Sequence, residues 1–260
     1  MGIYSIQRRV IGEWPNCQEV SEIYNLDHKI FTERVQHGFK KITGRVFSPS
    51  LNNGEPEQLL KLILDYWFDE PAFFENSLIR TKKENICPSK GLLIVGRPGT
   101  SKTSLLKSFH GCVNSTKSFP FTHNSGDVKN LNFRDSICSS RKKAQTKFFT
   151  ADEVVEEYEN KLRGDESKFD SINRSEYTTI IDDILSERLA NNFGDRLETF
   201  KKVMQDMEYR KGSYIFTCNL HGNLDGTLKM IAERYGARVY DRLFSSLNIV
   251  ELKGKSMRGK

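Results

Sequence analysis

Apolar positions along this chain follow two periods. Leu59, Leu60, Ile63, Leu64 and Trp67 recur at the three-to-four spacing of a helix with a broad buried stripe, which predicts a helix over 57–68 ended by Pro71. Leu92 to Val95 is a run too short for a helix and reads as a buried strand, followed after a Gly/Pro turn by a helical pattern in Leu105, Leu106 and Phe109. Further β-prone runs lie at Lys147–Thr150, Tyr177–Ile181, Tyr214–Asn219 and Leu247–Leu252. Between them, Thr150 or Asp152 caps a helix running to about Arg163, with Val154, Val155 and Tyr158 on its buried side, and Leu197–Arg210 is amphipathic. This alternation, over 260 residues, points to one large α/β domain with a small appendage.

The N-terminal part is less regular. Ile3, Ile6, Val10 and Ile11 show no clean period, Trp14-Pro15-Asn16 reads as a turn, and Asp27 is placed to cap a helix carrying Ile30, Phe31, Val35 and Phe39. Lys29, Arg34, Lys40 and Lys41 make that helix either a partner- or DNA-facing element or a solvated basic face. Ser48–Pro56 is read as a linker, so residues 1–55 form an N-terminal region and 56–260 the main domain. His110–Gln145, with the basic cluster Arg141-Lys142-Lys143, is expected to be a loop, either contacting DNA or a solvated insertion.

The chemistry sits where strands end. Gly96-Arg97-Pro98-Gly99-Thr100-Ser101-Lys102-Thr103-Ser104, set between a strand and a helix, has the context of a phosphate-binding P-loop. Backbone N–H groups there converge on nucleotide phosphates, Lys102 adds a point charge, and the Thr103 hydroxyl ligates Mg2+. Ser101 stands where glycine is expected, so its Cβ is a steric problem if that position needs a positive φ. The β-prone run 177–181 ends in Asp182-Asp183 and resembles a Walker B motif. Adjacent residues of a strand face opposite ways, so both acids are useful only where the backbone turns. In this role Asp182 holds the metal and Asp183 orients the attacking water.

Together these pieces resemble the AAA+ helicase loaders of the DnaC type and the related IstB-like transposition ATPases. The resemblance covers about residues 57–260 and rests on Gly96-x-x-Gly99-x-Ser101-Lys102-Thr103, Ile180-Ile181-Asp182-Asp183, Thr217-x-Asn219-Leu220 and Gly236-x-Arg238-x-x-Asp241-Arg242-Leu243. It implies an AAA+ core: a five-stranded parallel sheet flanked by helices, with the P-loop strand central. Asn219 becomes the polar sensor of the γ-phosphate, and Arg242, with Arg238 in reserve, the arginine finger supplied to a neighbouring subunit. Eight residues follow the last strand, no room for a C-terminal helical lid, and Gly254–Arg258 is similar to the short terminus of lidless members. Where relatives carry Glu, this chain has Asp183, shorter by one methylene.

A formal charge of +6 favours a polyanionic partner. The cysteines Cys17, Cys87, Cys112, Cys138 and Cys218 are scattered, which suits reduced thiols in a cytoplasm and excludes a disulfide framework or zinc site. No 18-residue apolar run or signal peptide is present. The expected activity is hydrolysis of ATP, with Mg2+, by a homo-oligomer on DNA, single-stranded in preference to duplex, serving a replicative helicase. The alternatives are an accessory ATPase for a transposase-type partner, or a nucleotide-binding adaptor with little hydrolysis.

Overall fold

A computed structural model describes residues 17–47, 51–68, 70–115, 118–122, 128–132, 145–172, 177–192, 195–210 and 213–256. The readings of residues 1–16, of Arg141–Lys143 and of Met257-Arg258 lie outside these. In chain order the elements are α1 (Cys17–Thr43), α2 (Glu55–Trp67), β1 (Gly91–Gly96), α3 (Lys102–Ser115), β2 (Ser118–Thr122), β3 (Val128–Asn132), β4 (Thr146–Thr150), α4 (Ala151–Arg163), α5 (Phe169–Ile172), β5 (Thr178–Ile184), β6 (Ala190–Asn192), β7 (Asp195–Leu197), α6 (Thr199–Arg210), β8 (Ser213–Asn219), α7 (Leu224–Tyr235), α8 (Ala237–Ser246) and β9 (Leu247–Leu252).

Five strands form one parallel sheet in the order β4-β5-β8-β1-β9, the fold class expected from the sequence, but the central strand is β8 and the P-loop strand β1 lies between it and the edge strand β9, not at the centre as expected. The period of two sorts its side chains between two cores. Leu92, Ile94, Ile180, Ile215 and Val250 pack with α1, α2 and α3 on one face. Leu93, Val95, Ile181, Phe216 and Ile249 pack with α4, α6, α7 and α8 on the other. Because β1 is buried on both faces, its sequence is an unbroken apolar run. The free side of β9 is covered by the segment between α2 and β1, through Arg80 N to Ile249 O at 2.8 Å and Glu251 N to Leu78 O at 2.9 Å. At the other edge the Asn114 side chain pairs with the backbone of Thr146, donating to its carbonyl at 2.9 Å and accepting from its amide at 3.0 Å. Both sheet edges therefore have partners for part of their exposed backbone.

Three further expectations are corrected. Asp27 does not begin a helix: α1 already runs from Cys17, because Cys17–Leu26 contains neither proline nor glycine to interrupt it, and a local capping preference yields to a continuous helix. Phe31, Val35 and Phe39, fully buried one turn apart, then seat α1 on the core. The segment 110–145 is not one long loop. Helix α3 extends to Ser115, and β2 and β3 pair antiparallel in register Ser118↔Asn132 to Thr122↔Val128, with Pro120 in the strand, a residue tolerated in a pair without inner neighbours. The third concerns the helix expected over Leu197–Arg210, since 195–197 belongs to a strand. That strand forms the small β6–β7 hairpin with 190–192, and α6 starts at Thr199.

Helix α4 has the expected cap. Thr150 Oγ1 accepts from Glu153 N at 3.2 Å while Glu153 returns a carboxylate to Thr150 N at 2.6 Å, a reciprocal capping box. Further along α4, Glu159 takes both guanidinium branches of Arg188 and the amide of Asn191 at 2.7 Å, tying the segment after β5 to the helix. The Arg188 hydrogen bonds hold the Glu159 carboxyl down at about 2, against an ordinary 4.5. With the folded value depressed, the stabilisation is complete above pH 4.5 and lost as pH falls towards 2. Arg188 is half exposed, so solvent screening limits the pair, and we expect Glu159→Gln to cost about 1–2 kcal/mol at pH 7. Chemical denaturation of parent and variant at pH 7 and pH 3 checks this: the gap must narrow at the lower pH.

Candidate nucleotide-binding site

The site lies at the C-terminal ends of β1, β5 and β8, where open α/β sheets hold ligands. Strand β1 delivers the chain to Gly96, whose backbone passes so near β9 that a Cβ would lie 2.8 Å from that of Leu252. The loop then tightens on itself, with Thr100 Oγ1 donating to Arg97 O at 2.9 Å. Gly99 at φ 81 and Ser101 at φ 72 are both left-handed, and α3 starts at the next residue. The positive φ raised as a concern for Ser101 is therefore present, and a side chain occupies it.

Lys102 is buried, at 5% exposure. Its ammonium donates to Gly96 O at 2.7 Å, Arg97 O at 3.1 Å and Asn219 Oδ1 at 3.2 Å. The three neutral acceptors solvate the buried ammonium in place of water.

The acidic pair solves its facing problem by a slip of the ladder. Register between β5 and β8 shifts between Ile181 and Ile184, and Asp183 takes φ 65. Asp182 stays in the regular part of the strand, buried, and its Oδ1 accepts from Thr217 Oγ1 at 2.6 Å. The same hydroxyl accepts from the Asp183 amide at 2.8 Å. The Asp183 carboxylate takes a hydrogen bond from Asn219 Nδ2. Asn219 thus bridges Lys102 and Asp183 with the two ends of one amide. The loop leaving Asp183 is clamped from α7: Arg234 donates to Leu185 O at 2.6 Å and Glu187 O at 2.5 Å, and Tyr235 Oη donates to Glu187 Oε1 at 2.7 Å. Burial raises the Glu187 carboxyl above its ordinary value, with Tyr235 and Arg234 opposing.

These groups surround a cavity of about 290 Å3 lined by Pro98 to Ser104, Asp183, Thr217 and Asn219, together with Thr43 and Arg45. Gly96 and Arg97 frame the loop, and Asp182 lies behind Thr217 without lining the cavity. Arg238, exposed, and Arg242, half-buried, stand one turn apart on α8 and do not line it. The hydroxyl and carboxylate oxygens of Thr103, Asp182 and Asp183 are hard donors of the kind Mg2+ takes, and the cations and backbone amides suit phosphate. Thr217, two residues before Asn219 in the same strand and so on its face, was legible from spacing alone. Thr43 and Arg45 belong to no motif. Cys87, Cys112 and Cys218 are free thiols, and burial pushes Cys218 up to about 12, which makes it unreactive.

Solved structures similar in fold include a DnaC helicase loader, 17% identical over 76% of this chain and 89% of that one, with a TM-score of 0.45. A putative primosome component from Streptococcus pyogenes serotype M3 is 18% identical over 80% and 85%, at 0.46. AMPPCP-bound DnaA from Aquifex aeolicus is 15% identical over 75% of this chain and 48% of that one, at 0.41. The chain is similar to these proteins in fold. No family model and no curated protein matches it. Among the described residues no helix is long and apolar enough to cross a membrane.

A left-handed residue with a Cβ is strained by about 1–2 kcal/mol, while glycine gives back about 0.4–1 kcal/mol through the unfolded chain. We expect Ser101→Gly to raise stability by about 0.5–1 kcal/mol, which is about 1–3 °C in Tm for a domain of this size, without weakening nucleotide binding. Thermal melting and a nucleotide titration of the variant check both halves.

Proposed function

We propose that this chain is an AAA+ ATPase of helicase-loader type, binding ATP with Mg2+ and hydrolysing it to ADP and phosphate. The observation that carries the reading is the convergence of Lys102, Thr103, Asp183 and Asn219 on one cavity at the strand ends. On nucleotide binding, Lys102 exchanges its loop carbonyls for phosphate oxygens, and the amides of the loop and the first turn of α3 complete the cradle. Thr103 and Asp182 would hold the metal, which neutralises charge on the phosphates. Asp183 accepts the proton of the attacking water as its oxygen bonds to the γ-phosphorus and the bond to the β,γ-bridging oxygen breaks. Asn219 keeps Asp183 and the γ-phosphate in register. Arg242, with Arg238 in reserve, acts from α8 on the nucleotide of an adjacent copy, since neither reaches the cavity of its own chain. A planar guanidinium is suited to the charge that develops on the transferred phosphoryl group.

That finger in trans makes the working form a homo-oligomer. The net charge of +6 supports DNA as the polyanion on which it assembles, single-stranded in preference to duplex, with a replicative helicase as the protein partner and the cytoplasm as its place. One observation favours a second reading, a nucleotide-binding adaptor with little hydrolysis: the strained Ser101 and the short Asp183 both depart from the common pattern.

We expect Lys102→Ala to abolish ATP binding, and Asp183→Asn to preserve binding while lowering turnover about hundredfold. Equilibrium binding and steady-state hydrolysis, each with no DNA, single strands or duplex, check this. Turnover too low for Asp183→Asn to reduce would leave the adaptor standing, and stimulation by duplex alone would point to the transposition ATPase. For the finger, Arg242→Ala mixed with Lys102→Ala should regain part of the lost turnover, because mixed interfaces pair an intact pocket with an intact arginine. A mixture as inactive as its components would remove the trans role.

A further inference from the structure

Two residues of the cavity, Thr43 and Arg45, come from the turn that ends α1, far in sequence from the P-loop. That turn is built, not merely adjacent. Gly44, at φ 72, closes the helix with its amide on Lys40 O at 2.8 Å. Thr43 Oγ1 donates to Phe39 O at 2.8 Å and accepts from the Arg45 amide at 3.1 Å. Two residues on, the Phe47 ring meets the fully buried Phe39 edge-on, centroids 4.6 Å apart. The backbone of Arg45 is thus held between a hydrogen-bonded cap and an aromatic anchor.

The helix behind it is fixed to the same element that forms the phosphate cradle. Ser108 of α3 donates to Val35 O at 2.5 Å, and Gly38 lies so close that a Cβ there would be 2.4 Å from the Ser108 hydroxyl. A side chain at position 38 would displace the Ser108 hydroxyl from Val35 O. Ser104 and Ser108 follow one another along the α3 side that faces α1, and Ser104 lines the cavity with Arg45 and with Ser101, the residue before the helix. The position of Arg45 relative to Lys102 is therefore set by the α1–α3 packing.

We propose that Arg45 is a phosphate-binding residue, a second cation of the nucleotide site supplied by the N-terminal segment. This rests on the nucleotide reading above and adds to it. Lys102 offers a point charge, and a guanidinium adds a planar fork that matches two phosphate oxygens at once. Because its backbone is capped and anchored, engaging the ligand costs Arg45 side-chain freedom only. Occupancy of the site then also fixes the last turn of α1, which connects the nucleotide to the N-terminal region.

The test uses the full chain with ATP and with ADP, measured by calorimetry for the parent, Arg45→Ala, Arg45→Gln, Arg45→Lys and Lys102→Ala. We expect Arg45→Ala and Arg45→Gln to bind both nucleotides about tenfold or more weakly, Arg45→Lys to recover part of the loss, and all three to melt like the parent without ligand. Hydrogen exchange at 40–47 should slow with ATP in the parent and not in Arg45→Gln. If Lys102→Ala loses binding while the Arg45 variants bind like the parent, this inference fails alone. If Lys102→Ala binds ATP normally, the nucleotide reading fails and takes this one with it. Weaker binding accompanied by an equal fall in melting temperature of the free protein would make Arg45 structural and also overturn the proposal.

Discussion

Two adjacent carboxylates of one strand have to serve one site, although a strand turns neighbouring side chains to opposite faces. The register slip before Ile184 and the left-handed Asp183 meet that constraint, and much of the surrounding structure holds the slip in place. Thr217 touches both acids with one hydroxyl, accepting from the Asp183 amide and donating to the Asp182 carboxylate. Asn219 then ties Asp183 to Lys102. A continuous chain of polar contacts runs from the acidic pair on β5 through β8 to the loop after β1, so β5, β8 and β1 must be neighbours in that order. Each link is buried or partly buried, where an unmade hydrogen bond costs more than a made one contributes.

The clamp from α7 extends the same logic beyond the sheet. Asp183 and Leu185 are both left-handed, and a chain free to relax would leave that conformation. Arg234 and Tyr235 hold the loop by its carbonyls at 185 and 187, its amide at 185 and the buried Glu187 carboxylate. Glu187 is taken out of water to do this, and two donors offset part of its desolvation. Tyr235 ends α7, Gly236 turns the chain at φ 95, and α8 begins with the arginines on it. The helix carrying Arg238 and Arg242 is thus the direct continuation of the element that holds the loop after Asp183.

What could be read in the sequence was whatever a local period or a fixed spacing encodes. The two-faced burial of β1, the helix α2 within two residues of its start, the Thr150–Glu153 cap and the P-loop all have such signatures. Asn219 was legible because it closes an apolar run, and the acidic pair because it closes another. The slip at Asp183 was legible only as a requirement, since its geometry depends on β8, thirty-odd residues away in sequence. The start of α1 was missed because Asp27 resembles a cap and nothing local says that the helix has already begun. Arg45 had no local signal: its place is fixed by Phe39, Phe47 and the Gly38–Ser108 crossing, all of them contacts between distant parts of the chain.

The distribution of strained backbone agrees with the placement of the site. Five non-glycine residues among those described have positive φ. Two are asparagines, Asn52 and Asn53, whose side chains make that region cheap. The other three, Ser101, Asp183 and Leu185, are residue types that resist it, and all three belong to the P-loop or to the bulge and loop facing it. A fold holds such residues only where surrounding contacts over-determine the backbone. Here those contacts are the ones that bring a lysine, an asparagine and an aspartate to one cavity, so the strain marks the places where local preference was overruled in favour of site geometry.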